Sequence, residues 1–174
     1  MILQIEALKR VLEFLDRNQI RYMVIGGIAN AIYGRPRVTL DADLKISTGE
    51  LGLKEVRRRA EAEFKPFHRP WLGEHESRHI IALEVMPDMV VDLLVALFPY
   101  EEIAIERATL VEYEGLSIRT CTAEDLIIHK AISNRLKDWL DIEGIIRRQK
   151  DRLDVKYVRQ WLRQWDTEME PPID

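Results

Sequence analysis

Residues 22–46 leave this chain little freedom in how it can fold. Tyr22 to Ile25 is a short apolar run with β-branched members, closed by Gly26-Gly27, and reads as a buried strand. Ile28 to Tyr33 follows as a short helix that stops at Gly34. Arg35-Pro36 forces extended or turning backbone. Val38 to Ile46 alternates polar and apolar residues in its first half and reads as a second strand. A strand, a glycine pair, a helix and another strand in so short a stretch demand a sheet with a helix set against it.

The remaining elements extend that plan. Leu3, Ile5, Leu8, Val11, Leu12 and Leu15 stand at helical spacing, so residues 3–17 read as an amphipathic helix ending near Asn18. Gly49 to Phe64 reads as a helix, with Ser47 or Thr48 to cap it. Residues 66–78, with two prolines and a glycine, form a long loop. His79 to Val85 and Met89 to Ala96 flank Met86-Pro87-Asp88 as a hairpin. Pro99 to Ala108 is a helix opened by proline. Leu110 to Tyr113 and Leu116 to Arg119 flank Glu114-Gly115 as a second hairpin. Thr122 caps a helix with Asp125 three positions on. Helices over about 137–149 and 154–165 follow, and the tail from Glu168 to Asp174 frays. The fold class is α+β: a small mixed sheet with flanking helices and a C-terminal helical extension. A soft boundary near residue 120 separates a 1–120 core from a 121–174 extension packed on it, as one domain or two.

The 174 residues suffice for one compact domain with a real core. No run approaches the roughly 18 apolar residues of a membrane span, and the N-terminus lacks a signal-peptide layout. Cys121 stands alone, without a partner for a disulfide or a CxxC pair. A cytoplasmic protein without a membrane partner is expected. The net charge is −4, unevenly spread. Residues 1–60 hold eleven Lys/Arg against seven Asp/Glu, and residues 61–120 hold five against twelve. The basic part surrounds the glycine pair and would draw a polyanion, although Arg57-Arg58-Arg59 also fits a solvated helix face.

Three carboxylates carry the chemistry. Gly26 and Gly27 let backbone approach a ligand, and the helix behind them offers free N–H groups to an anion. Alone, the pair fits many tight turns. Asp41 and Asp43 are two apart, so on a strand they share a face with Thr39, with Arg37 beyond them. Two such carboxylates repel unless a cation sits between. Magnesium, or manganese in its place, wants hard oxygen ligands of this kind together with substrate phosphates. The alternative is an edge strand with two solvated acids. Asp92 stands inside the apolar run from Met89 to Ala96. A carboxylate there is costly unless it coordinates a metal or pairs with Arg or Lys. As a third metal ligand it could also take the proton of an attacking hydroxyl.

The stretch from Gly26 through Arg-Val-Thr-Leu-Asp-Ala-Asp43 resembles the opening motif of the polymerase-β-like nucleotidyltransferase superfamily. It looks most like the AbiEii-type minimal nucleotidyltransferases of toxin–antitoxin and phage-defence systems. Ala123-Glu-Asp-Leu-Ile-Ile-His-Lys130, followed by Arg135, Asp138 and Asp141, continues the resemblance. It implies that Gly26 and Gly27 cradle a triphosphate and that Asp41, Asp43 and Asp92 hold magnesium. It further implies that Lys130 contacts the nucleotide phosphates. Arg37 would share that role or anchor its strand. Asp138 and Asp141 would sit near the pocket and help to orient Lys130 or Arg135, and Thr39, Arg135 and Asp138 would belong to the nucleotide-binding set. Lys130 also reads as an ordinary exposed helix residue. The second glycine replaces a serine that many superfamily members use.

Other features carry less. His75 and His79 have the spacing of helix-borne zinc ligands, but Gly73 argues against a helix there. Trp139, Trp161 and Trp165 read as core or partner-facing aromatics. No Gly-x-Ser-x-Gly elbow supports a serine hydrolase. The expected function is Mg2+-dependent transfer of a nucleotidyl group from an NTP to an RNA, tRNA, protein or small-molecule acceptor, with an antitoxin protein as partner if the chain is a toxin. The alternatives are a catalytically silent nucleotide- or partner-binding accessory protein and an aminoglycoside-type small-molecule nucleotidyltransferase.

Overall fold

The computed structural model describes residues 2–36, 41–70, 73 and 78–168. Helix α1 (Ile2–Arg17) leads into β1 (Arg21–Ile25) and α2 (Gly26–Tyr33). Then come β2 (Ala42–Ser47), a 3-10 turn (Gly49–Leu51), α3 (Gly52–Glu63) and a short β3 (Lys65–Pro66). A hairpin of β4 (Ile80–Met86) and β5 (Met89–Val95), helix α4 (Pro99–Arg107) and a hairpin of β6 (Thr109–Tyr113) and β7 (Leu116–Thr120) follow. The chain then turns helical with α5 (Ala123–Ser133), α6 (Leu136–Gln149) and α7 (Val155–Glu168).

Among the described residues, seven strands join one mixed sheet in the order β3-β4-β5-β2-β1-β7-β6. Strand β2 lies at its middle, antiparallel to β1 and parallel to β5. Alternation along the central strands gives the sheet two unlike faces. Val24, Ala42, Leu44, Ile46, Val91 and Leu93 point to one face, where Leu8, Val11, Phe14 and Leu15 of α1 and Val56 and Ala60 of α3 close the larger core. Met23 and Ile25 look the other way and meet Tyr100, Ala104 and Ile105 of α4 and Leu126 and Ile127 of α5. Asp43 and Lys45 share this second face, because the register sets them beside Ile25 and Met23. Among the described residues, no helix is long and apolar enough to cross a membrane.

The structure corrects four local expectations. Gly26 and Gly27 do not precede a helix starting at Ile28; they form its first turn. Strand β2 starts at Ala42, so Asp41 sits in a bend just before it and not on a common strand face with Asp43. Arg37 and Thr39 lie outside the described residues, as does His75. The helix expected over Gly49–Phe64 is split: Gly49 and Gly52 both take positive φ, and neither Ser47 nor Thr48 caps it, Ser47 being the last residue of β2. The loop read over 66–78 begins instead with β3, which pairs Lys65 and Pro66 with β4.

Candidate active site

Asp43 lies directly between Ile25 of β1 and Asp92 of β5 in the strand register. The two residues are therefore lateral neighbours on parallel strands with their side chains on the same face, their backbones about one strand spacing of roughly 4.8 Å apart. Arg69, from the stretch after β3, reaches over them. Its Nη2 is 2.8 Å from Asp92 Oδ2 and 3.1 Å from Asp41 Oδ2, and its Nε is 3.4 Å from Asp92 Oδ1. The guanidinium is 5.2 Å from the Phe67 ring centroid, and the Arg69 side chain is only 8% exposed. One cation thus bridges two acids that stand 51 residues apart in sequence terms only because the sheet and the bend before it bring them together.

That cation does not balance the site. Burial pushes the Asp43 carboxyl above its ordinary range and Asp41 adds to the push, while Arg69, Arg135 and Lys137 offset part of it. Burial also pushes Asp92 up to about 6, aided by Asp43 and Asp41, against the pull of Arg69. Carboxyls held high in this way favour any additional cation that can reach them.

Gly26 places the anion-binding end of α2 against these acids. Its φ is +64°, a backbone conformation suited to glycine. A β-carbon built there would lie 2.0 Å from Asp43 Oδ2 and 2.8 Å from its Cγ. The helix start and the carboxylate can share this space only without a side chain. Ile25, at the N-cap, offers no side-chain hydrogen bond, so the first-turn N–H groups are left to another acceptor.

Among the described residues, no three of His, Cys, Asp and Glu already converge as a metal cage. The donor set still fits a hard divalent cation. It offers carboxylate oxygens, two of them on groups held above their ordinary range, and magnesium needs only one or two such ligands beside substrate phosphates.

Lys130 is buried, contrary to the exposed-helix alternative. Its Nζ lies 2.6 Å from Asp141 Oδ2 and 3.4 Å from Asp138 Oδ1. Asn30 of α2 donates to Asp141 Oδ1 at 3.1 Å and to the Arg35 carbonyl at 3.0 Å. Lys130 therefore ties α5 to α6 and, through Asn30, to the helix that starts at Gly26. Burial alone would raise the Asp138 carboxyl, but Arg135 and Lys130 together hold it below its ordinary value. Arg135 Nε is 2.7 Å from Asp138 Oδ2, with the side chain 60% exposed. Arg135 thus faces the open side of this cluster and Lys130 the closed side.

The sequence profile of a family described as a nucleotidyl transferase of unknown function, DUF2204, matches residues 4–173. The chain belongs to this family. Its members are nucleotidyltransferases, and the chain is an enzyme of that class. No curated protein sequence matches it. Solved structures share its fold at low identity. The antibiotic-resistance factor ANT(2'')-Ia matches with a TM-score of 0.61 and 19% identity, over 97% of this chain and 96% of that one. An antigenic nucleotidyltransferase-like protein from Paracoccidioides brasiliensis matches at 0.55 and 19%, over 97% and 87%. The lincosamide antibiotic adenylyltransferase LnuA matches at 0.52 and 12%, over 80% and 94%.

In this DUF2204 chain, then, the structure draws Asp41, Asp43, Asp92 and Gly26 into one site and sets the Lys130 group behind it. Sequence reasoning missed Arg69. Nothing in its spacing marks it, since it sits in a stretch without periodicity. The one available signal was that a buried Asp92 requires a cation. It also missed Lys45, buried on the Asp43 side of β2 and ion-paired with Glu101 of α4. Burial would raise the Glu101 carboxyl, but Lys45 and the Leu97 N–H hold it below its ordinary value. Trp161 packs on Tyr100 and Trp165 on Phe98, while Trp139 is half exposed on α6.

Proposed function

We propose that this enzyme moves a nucleotidyl group from an NTP to an acceptor hydroxyl and releases pyrophosphate. The observation that carries the reading is the pairing of Asp43 with Asp92 beside the uncapped start of α2, with Gly26 in contact with Asp43. Asp41, Asp43 and Asp92 would hold Mg2+, or Mn2+ in its place, which when bound neutralises phosphate charge. The first-turn amides of α2, including those of Gly26 and Gly27, orient the triphosphate. Arg135 and Lys137 add positive charge near Asp43. Asp92 would also be placed to accept the hydroxyl proton as the acceptor attacks. The acceptor oxygen bonds to the α-phosphorus as the bond to the pyrophosphate oxygen breaks. Catalysis is mostly positioning and charge neutralisation.

The acceptor we favour is a small hydroxylated molecule. Support comes from the fold shared with ANT(2'')-Ia, seen elsewhere in complex with adenylyl-2''-tobramycin, and with the lincosamide adenylyltransferase LnuA. A second reading is a toxin of the AbiEii type acting on tRNA, favoured by the Arg-Val-Thr-Leu-Asp-Ala-Asp form of residues 37–43. Mass spectrometry of aminoglycosides, lincosamides, tRNA and protein after incubation with each NTP and Mg2+ separates them. A mass increase on a small molecule that Asp41→Ala abolishes is the expected result. An increase on tRNA transfers the case to the second reading. Identical behaviour of wild type and Asp41→Ala on every acceptor removes the catalytic reading and leaves a nucleotide-binding accessory role.

A further inference from the structure

Arg69 occupies an unusual place for a residue outside the expected motif. Its guanidinium bridges Asp41 and Asp92 at 3.1 and 2.8 Å and is almost wholly removed from solvent. Both acids belong to the bracket that would hold the divalent cation, so Arg69 and that cation would draw on the same two carboxylates. A guanidinium and a divalent cation at the same two carboxylates compete, because their positive charges repel at such short range. Arg69 sits in a connecting segment after the edge strand β3, where backbone can move at lower cost than in the central sheet.

We propose that Arg69 is a resident counterion of the active site which the divalent cation displaces, and that the released guanidinium then binds the phosphates of the incoming nucleotide. In the free enzyme Arg69 keeps Asp41 and Asp92 from facing each other uncompensated. When the metal takes over that duty, a planar cation with a fork of donors is left at the mouth of the bracket. That geometry matches phosphate oxygens in pairs. Arg69 thereby couples the two binding events: loading the metal creates part of the nucleotide site. This inference rests on the reading of Asp41, Asp43 and Asp92 as the metal bracket.

The test separates the two ideas. Mn2+ binding to the nucleotide-free protein is measured by the electron paramagnetic resonance of the free aqua ion, for wild type, Arg69→Gln and Asp41→Asn. Nucleotide affinity is measured by titration with a non-hydrolysable NTP analogue at saturating Mn2+. Arg69→Gln should bind Mn2+ about tenfold more tightly than wild type, the equivalent of one charge-assisted hydrogen bond removed from competition. The same variant should bind the analogue about tenfold more weakly. Tighter metal binding is not what a damaged or loosened site would give. Mn2+ should also raise the melting temperature of Arg69→Gln more than that of wild type. If Asp41→Asn abolishes Mn2+ binding and Arg69→Gln leaves it unchanged or weaker, the counterion role is wrong and the metal bracket stands. If no variant, wild type included, binds Mn2+, both ideas fall together.

Discussion

Gly26 and Asp43 fit together only because residue 26 has no side chain: a β-carbon there would lie 2.0 Å from Asp43 Oδ2. The contact joins the start of α2 to the central strand at the point where the acids gather. It explains why the glycine pair and the acidic pair act as one motif although β2 and α2 are separate elements. Gly26→Ala should therefore harm both fold and site. The positive φ and the overlap together should cost about 1–3 kcal/mol, and nucleotidyl transfer should fall on the order of a hundredfold as Asp43 is pushed aside. Denaturant melts and turnover assays on the same preparation check this. A variant with wild-type stability and turnover would mean that the contact is slack.

Asp43→Asn should separate activity from stability. The carboxyl is raised by burial and by Asp41, so its ionised form weighs against the fold. A group raised in this way loses its contribution as pH rises through the folded-state value. Above that value wild type carries a cost that the asparagine variant lacks. The variant should lose transfer activity on the order of a hundredfold or more while melting at the same temperature or higher at pH 7.5. A large fall in melting temperature without loss of activity would place Asp43 among structural residues.

His129 should make the fold sensitive to mild acid. Burial, with the Lys45 charge behind it, lowers the imidazole to about 4, against the opposing pull of Glu101 and Asp125. Its Nε2 is sealed from solvent without a hydrogen-bond partner. Below about pH 6.5 the unfolded chain takes up a proton that the folded chain refuses until about pH 4. Stability is thus lost as pH falls through that window, by up to about 3 kcal/mol. Urea titrations of wild type and His129→Gln between pH 7 and 4 should show the difference shrinking toward acid. Parallel curves would show that His129 protonates freely in the fold.

Asp125 should prove essential to the docking of α7. It is fully buried and accepts from Tyr157 Oη at 2.8 Å, Tyr100 Oη at 3.0 Å and Arg107 Nε at 3.2 Å. Arg107 also stacks 4.0 Å over the Tyr157 ring. Asp125→Ala leaves the Tyr100 and Tyr157 hydroxyls without their acceptor and removes the ion-pair partner of the 37%-exposed Arg107, and should cost about 1–3 kcal/mol. Limited proteolysis should then cut near α7 first. Unchanged stability and protection would show that the network is dispensable.

The sequence and the structure agree most closely where period and turn chemistry act locally. The β4–β5 and β6–β7 hairpins form where their apolar runs and turn residues place them. Thr122 caps α5 by accepting from the Asp125 N–H at 3.1 Å, and Pro99 opens α4. The expectation of three acids near a glycine-started helix rested on the spacing of Asp41 and Asp43, on Asp92 standing in an apolar run and on a family resemblance, and the sheet register brings Asp43 and Asp92 side by side. Lys130 was legible as a residue of interest but not as a buried one. Its environment is set by Asp138 and Asp141 on the next helix, and helix packing angles are not written in local pattern.

What the chain determined by itself was most of the elements and a set of candidate residues with the chemistry for an anion and a cation: Gly26, Gly27, Asp41, Asp43 and Asp92. Backbone propensity and hydrophobic period are properties of neighbours in sequence, so they can be read there. What only the tertiary structure decided was pairing. Lys45 looks like a surface residue until Glu101 of α4 closes over it. Arg69 has no local signal until the sheet sets Asp92 beneath it and the bend before β2 brings Asp41 alongside. The physical reason is that a buried charge must find its partner across space, and the partner's position along the chain carries no trace of that demand.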